Sequence, residues 1–208
     1  MKNNYYKKLW TIANEHIANG NMLLSKRPDI YLADEWPTYY SKAKGCEVWD
    51  LKGKKFYDLC MMGVGTNVLG YSNSEINKVV KKAVDDSNMS TLNSFHEVQL
   101  AKKLKKIHTW ADSVKFARTG GEANAIAVRI ARVATNTEKI AICGYHGWHD
   151  WYLALNNKNK KEFATHHIKG IPVKNGVPSV LSKYIFSFNY NDIDYLKFLI
   201  EKKKNKNC

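Results

Sequence analysis

Arg118-Thr119-Gly120-Gly121-Glu122-Ala123-Asn124 is the stretch on which the organisation of the chain turns. Upstream, Val114-Lys115-Phe116-Ala117 is short, apolar and partly alternating, which predicts a strand. Downstream, Ala123, Ile126, Ala127, Ile130, Ala131 and Ala134 recur on one face of a helix. The glycines therefore occupy a strand-to-helix turn. The first amides of a helix lack carbonyl partners, and the helix dipole favours an anion there. Paired glycines admit close backbone approach and Thr119 adds a hydroxyl, so the turn is a candidate phosphate cradle. A glycine-rich turn that merely reverses the chain has the same local pattern, so the neighbouring segments carry the decision.

Working outward, Lys139-Ile140-Ala141-Ile142-Cys143 predicts a second strand, leading into Gly144-Tyr145-His146-Gly147-Trp148-His149-Asp150. A polar connection is expected over 156–183, with Asn157-Lys158-Asn159-Lys160-Lys161 at its tip, then a strand at 184–188 and a helix from Ile193. Before the turn, Ser72-Asn73-Ser74-Glu75 has capping-box spacing ahead of an amphipathic helix (Ile76, Val79, Val80, Ala83, Val84). A further helix is predicted from His96 to Ile107, with Leu100, Ala101, Leu104 and Ile107 inward. Residues 6–24 carry a loose helical pattern ending near Gly20, and 28–44 read as an irregular arm. Glu47–Asp50 and Lys55–Asp58 flank a glycine turn, which predicts a β-hairpin. The glycines at 63 and 65 are not followed by helical periodicity at dinucleotide-fold spacing. Strand and helix alternate from residue 72 onward, implying α/β architecture with a parallel sheet. Both glycine-bearing loops then fall at carboxyl ends of strands, where such sheets bind ligands.

The 208 residues, 44% hydrophobic, suffice for one sizeable core or one domain and part of another. No apolar run is long enough to span a bilayer, no signal-peptide core opens the chain, and no membrane partner is expected. Four scattered cysteines without a Cys-x-x-Cys pair suit reduced thiols in a cytoplasmic protein. The net charge of +14 raises nucleic-acid binding, but the excess is nearly all lysine and rises with asparagine, a bias spread over all surfaces. No nucleic-acid partner is expected.

Four segments in this order resemble the class III pyridoxal-phosphate aminotransferases, most nearly the glutamate-1-semialdehyde 2,1-aminomutase-like group. Gly45 to Asp58, with Trp49-Asp50, Gly53 and Tyr57-Asp58, is similar to that family's hairpin motif. Leu69-Gly70-Tyr71 resembles its Leu-Gly-His, and Thr119-Gly120-Gly121-Glu122-Ala123 its Ser-Gly-Thr-Glu-Ala phosphate loop. Tyr145-His146-Gly147 resembles the Tyr-His-Gly whose tyrosine stacks on the cofactor ring. The resemblance implies fold type I, pyridoxal 5'-phosphate, a small amino or keto substrate, and a homodimer. It also implies cofactor contacts from Thr119, Gly120, Gly121, Glu122, Tyr145 and His146. Residues 1–70 are expected to be an N-terminal arm and hairpin of a small domain, and 71–208 the first half of the cofactor-binding domain.

Two departures qualify this. Gly121 stands where the family usually carries threonine or serine, so one hydroxyl is lost. The family's cofactor-linking lysine and pyridine-nitrogen acid both lie later in the chain than anything here, so no catalytic residue is assigned and the expected product is a half-enzyme. The alternative is a non-catalytic fragment. Tyr145 is either a ring-stacking residue or a half-buried aromatic at a sheet edge. His146, His149 and Asp150 suggest a metal, but Gly147 and Trp148 between the histidines disfavour a regular helix with both imidazoles on one face, and no third ligand cluster is evident, so no metal is expected. His166-His167 reads as solvated. Glu122 is a first-turn carboxylate favoured by the dipole, a member of the site, or both.

Overall fold

The computed structural model describes residues 4–31, 37–60, 62–87, 89–147, 149–157 and 176–204. The chain divides into two compact units, Met1–Val114 and Lys115–Cys208, whereas the sequence places its boundary at 70/71.

In the first unit, helix α1 (Asn4–His16) is followed by a 3-10 turn at Ala18–Gly20 and a short helix α2 (Pro28–Tyr31). The predicted hairpin is present as β2 (Glu47–Asp50) and β3 (Lys55–Tyr57), paired antiparallel through Val48 opposite Phe56. A third strand, β1 (Tyr40–Lys44), adds to β2 where the irregular arm is expected. Its composition, Tyr-Ser-Lys-Ala-Lys, carries no strand signal; pairing makes it a strand, with the Ser41 hydroxyl donating to the Asp50 carbonyl at 2.8 Å.

Asp50 explains the Trp-Asp-x-x-Gly pattern. Its carboxylate is buried and accepts from the amides of Lys52 and Lys54 at 2.9 and 2.8 Å, closing the turn in which Gly53 sits at φ +80°. Burial alone pushes the Asp50 carboxyl up, but Tyr6 and those two amides hold it below its ordinary value. The Tyr6 hydroxyl lies near that carboxylate without a hydrogen bond of good geometry, and burial followed by the Asp50 charge raises its pKa. Glycines 45 and 70 are equally local in purpose. The backbones of Gly45 and Tyr71 exchange hydrogen bonds of 2.9 and 2.8 Å, and a Cβ on Gly70 would stand 3.1 Å from Gly45 Cα. Tyr71 then donates to Asp58 at 2.6 Å, and burial followed by that carboxylate pushes its phenol up to about 12.

Helix α3 (Ser74–Asp85) is capped one residue later than the capping-box spacing predicts. Ser72 sits in the left-handed region at φ +50°, and the Asn73 side chain accepts from Glu75 and Ile76 at 3.1 Å. Helix α4 (Phe95–Ile107) is capped by Ser94. The apolar faces of both helices are present as predicted, but neither helix contains a buried residue. Leu100 and Ile107, expected inward, are exposed.

The second unit departs from expectation at its start. Val114 to Ala117 is not a strand: among the described residues the segment has no paired neighbour, and Lys115, Phe116 and Ala117 are exposed. Helix α5 (Gly120–Thr135) follows and ends at Asn136, which takes the left-handed conformation. Arg132 Nε donates to the Glu138 carbonyl at 2.9 Å, tying the helix end to the start of strand β4 (Ile140–Ile142). None of the apolar residues of α5 is buried, including those of the predicted inward face.

Strand β4 pairs in parallel with β5 (Ile185–Ser187), Ile140 opposite Ile185, so the parallel sheet is present as two strands among the described residues. Its core comes from the crossover. Helix α6 (Asp150–Leu153) runs into a 3-10 turn (Ala154–Asn157), and Tyr152, Leu153, Ala154 and Leu155 bury themselves against Ile142 and Ile185. Val177 and Leu181 pack on the same cluster. The span 156–183, expected as a polar connection, thus touches this core at both described ends, with Asn156 wholly buried in the 3-10 turn and Val177 and Leu181 packed on the cluster. Of the predicted tip only Asn157 is described; Lys158 to Lys161 and His166-His167 lie outside the described residues. Helix α7 (Ile193–Lys204) closes the unit.

Candidate functional site

The site is built on the N-terminus of α5. Thr119 is its N-cap, with extended backbone, and its hydroxyl oxygen accepts from the Glu122 amide at 3.1 Å. Glu122 reaches back and accepts from the Arg118 amide at 2.8 Å. Thr-Gly-Gly-Glu is thus a reciprocal cap of the capping-box kind, a signal present in the sequence but unread there. The Ala123 amide is satisfied by the Thr119 carbonyl at 3.0 Å. The Gly120 and Gly121 amides have no acceptor among the described residues. They are two aligned donors at the positive end of a 16-residue helix. A Cβ on Gly120 would meet nothing within 4 Å, so the space beside Gly120 is open.

The second loop lies against the first. Gly147 is buried with φ +96°, and a Cβ there would come within 3.0 Å of Gly121 Cα. The two glycine-bearing turns therefore converge, as their places after expected strands suggested, although the segment before Thr119 is unpaired. Tyr145 projects from this loop and is 63% exposed. It meets Tyr152 perpendicularly, with ring centroids 5.7 Å apart, a contact that leaves at least one ring face open. Tyr152 anchors the loop: its hydroxyl donates to the Gly144 carbonyl at 3.4 Å, and burial followed by the proximity of Tyr145 raises its pKa.

His146 is held away from simple solvent exposure by Trp151 and Tyr152, and its Nδ1 lies 3.0 Å from the Gly144 carbonyl. That bond fixes the ring and shapes the loop. His149, weighed in the sequence only for a metal, sits over Gly121 instead: its Nε2 is 2.9 Å from where a Gly121 Cβ would stand. No sequence periodicity signals that contact, because it joins two loops 28 positions apart. Among the described residues no group of three His, Cys, Asp or Glu side chains is placed to hold a metal ion.

Residues 32–206 match the profile of Aminotransferase class-III. The chain belongs to the class-III aminotransferase family.

Over 192 residues, 92% of this chain and 42% of the relative, it is 30% identical to 3-aminobutyryl-CoA aminotransferase of Cloacimonas acidaminovorans. It is 32% identical over 173 residues to glutamate-1-semialdehyde 2,1-aminomutase of Methanocaldococcus jannaschii, covering 82% of this chain and 39% of that protein. Among solved structures, the internal aldimine form of Sphingopyxis FumI superposes with a TM-score of 0.77 at 24% identity, covering 95% of this chain and 43% of that one. A glutamate-1-semialdehyde aminomutase from Pseudomonas aeruginosa gives 0.67 at 16% identity, covering 95% and 42%. The fold is therefore that of the fold type I transaminases. The chain spans about two-fifths of the length of the curated class-III relatives it matches.

Proposed function

We propose that this class-III chain contributes the phosphate cradle and the ring-facing tyrosine to a pyridoxal 5'-phosphate enzyme that moves an amino group on a small amino or keto substrate. The observation that carries the reading is the pair of amides at Gly120 and Gly121, without an acceptor among the described residues, opening a helix against which the Tyr145 loop is packed. These residues fit the cofactor. The two amides and the Thr119 hydroxyl, which accepts from Glu122 and keeps its own hydrogen to donate, are donors suited to a phosphate. The exposed ring of Tyr145 offers an aromatic face. The bound cofactor supplies an electron sink for the carbon that loses a proton.

Glu122 acts here through the helix: its carboxylate orders the Arg118-Thr119 turn and so aims the two amides. His146 acts through the loop, pinning Gly144 and thereby Tyr145. Covalent attachment of the cofactor needs a lysine that loses its proton near neutral pH, which burial promotes. Among the described residues up to Lys202, each lysine is exposed except Lys139, which is half-buried at the start of β4. On this reading the chain by itself binds the cofactor weakly and reversibly and does not transaminate, and the whole enzyme is a homodimer.

The test is titration of the chain with pyridoxal phosphate and with pyridoxal, followed by borohydride reduction and peptide mapping. The expected result is a clear preference for the phosphorylated form with sub-stoichiometric, scattered lysine labelling. Equal affinity for both forms would remove the cradle. Stoichiometric labelling of one lysine with turnover of an amino donor would refute the claim that the chain cannot transaminate alone.

A further inference from the structure

We propose that His149 replaces the side chain missing at position 121, with its Nε2–H as a third donor to the phosphate beside the Gly120 and Gly121 amides. The inference rests on the cofactor reading above and deepens it. Gly121 leaves the turn one hydroxyl short of the Ser-Gly-Thr pattern it resembles. The vacated space is not empty: Nε2 and Cδ2 of His149 stand 2.9 and 3.0 Å from the position of a Cβ on Gly121. The Thr119 hydroxyl is 3.8 Å from the same point, so imidazole and hydroxyl flank the helix end together.

Among the described residues the ring is not engaged elsewhere. His149 caps the short helix α6 with its backbone carbonyl, which accepts from Tyr152 and Leu153 at 2.9 and 3.0 Å, while its side chain makes no capping bond. The side chain is exposed and has no hydrogen-bond partner among the described residues. An imidazole carrying its hydrogen on Nε2 is a donor whether neutral or charged, and hydrogen bonds to a charged acceptor are the stronger kind. Gly121 and His149 thus form one exchangeable pair. Serine at 121 would place its Cβ against the imidazole, so the two donors exclude each other.

The exclusion gives a test that a packing role does not reproduce. Dissociation constants for pyridoxal phosphate and pyridoxal are measured by fluorescence titration on the full chain and on H149A, G121S and the double variant. Circular dichroism verifies folding, which H149A leaves intact because only backbone groups of His149 cap α6. H149A is expected to weaken pyridoxal phosphate about tenfold and leave pyridoxal unchanged. G121S weakens pyridoxal phosphate through the clash, and the double variant, with room for the new hydroxyl, binds more tightly than either single variant. Unchanged affinity in H149A, or a double variant weaker than both, overturns the role of His149 while leaving the cradle standing. A wild-type chain without preference for the phosphorylated form overturns the cradle reading and this inference with it.

Discussion

Replacing Glu122 separates its two readings, helix cap and ligand contact. Glu122→Ala removes the bond from the Arg118 amide at 2.8 Å and a carboxylate from the first turn of α5. The dipole contribution of an exposed first-turn carboxylate is about 0.3–1 kcal/mol. A capping bond on an exposed helix end adds about 0.5–1 kcal/mol, the lower part of the usual range. The sum, about 1–2 kcal/mol, is a factor of roughly 5–30 in the unfolding equilibrium. Glu122→Gln keeps an acceptor and loses only the charge, so it should cost about 0.3–1 kcal/mol. Urea unfolding followed by far-ultraviolet circular dichroism measures both. Pyridoxal-phosphate titration of the same samples should show Glu122→Gln binding as tightly as wild type or more tightly, because a negative charge beside the cradle has gone. A Glu122→Gln chain with the wild-type urea midpoint and a tenfold loss of cofactor affinity would refute the reasoning and make the carboxylate a ligand contact.

Gly70→Ala combines a left-handed backbone at φ +85° with a Cβ 3.1 Å from Gly45 Cα, whereas Gly53→Ala, at φ +80°, meets nothing within 4 Å. Both should lower the unfolding free energy measured in urea, by about 1–3 kcal/mol for backbone strain, with Gly70→Ala the worse; equal losses would show that the Gly45 contact contributes nothing. Tyr71, with its phenol raised to about 12 from 10.0, adds stability that is complete below pH 10 and is lost as pH rises towards 12, so the advantage of wild type over Tyr71→Phe should shrink across that window. Asp50 has the opposite sign: its lowered pKa contributes stability that is present above the ordinary 3.8 and lost as pH falls below it, so Asp50→Ala should flatten the acid limb of the unfolding curve. The apolar face of α3 is exposed, Val80 at 53%, so the chain should self-associate in sedimentation velocity, and Val80→Glu should reduce that association while changing stability by under about 0.5 kcal/mol.

Local signals were legible wherever a short stretch determines its own conformation. The glycine turn at 53, the cap near residue 73 and the helix opening at Gly120 follow from side chains reaching amides two to four positions away. Strands were harder, because a strand exists only with a neighbour. Val114 to Ala117 has the composition without the partner, and Tyr40 to Lys44 has the partner without the composition. The helix faces were read correctly as apolar, yet periodicity marks a face that can be covered and says nothing of what covers it. The true core at Tyr152–Leu155 escaped because one helical turn followed by a 3-10 turn shows no sustained period. Spacing marked Thr119, Gly120 and Gly121 as a helix opening, and they open α5. His149 was placed by tertiary contact alone.

The seating of buried Gly147 on Gly121 also constrains how this sequence can drift. A methyl group added at 147 meets backbone, whereas one added at 121 meets the imidazole of His149. Position 147 therefore stays fixed while 121 and 149 change as a pair, and a library meant to retune the loop does best to randomise those two codons together and leave the third alone.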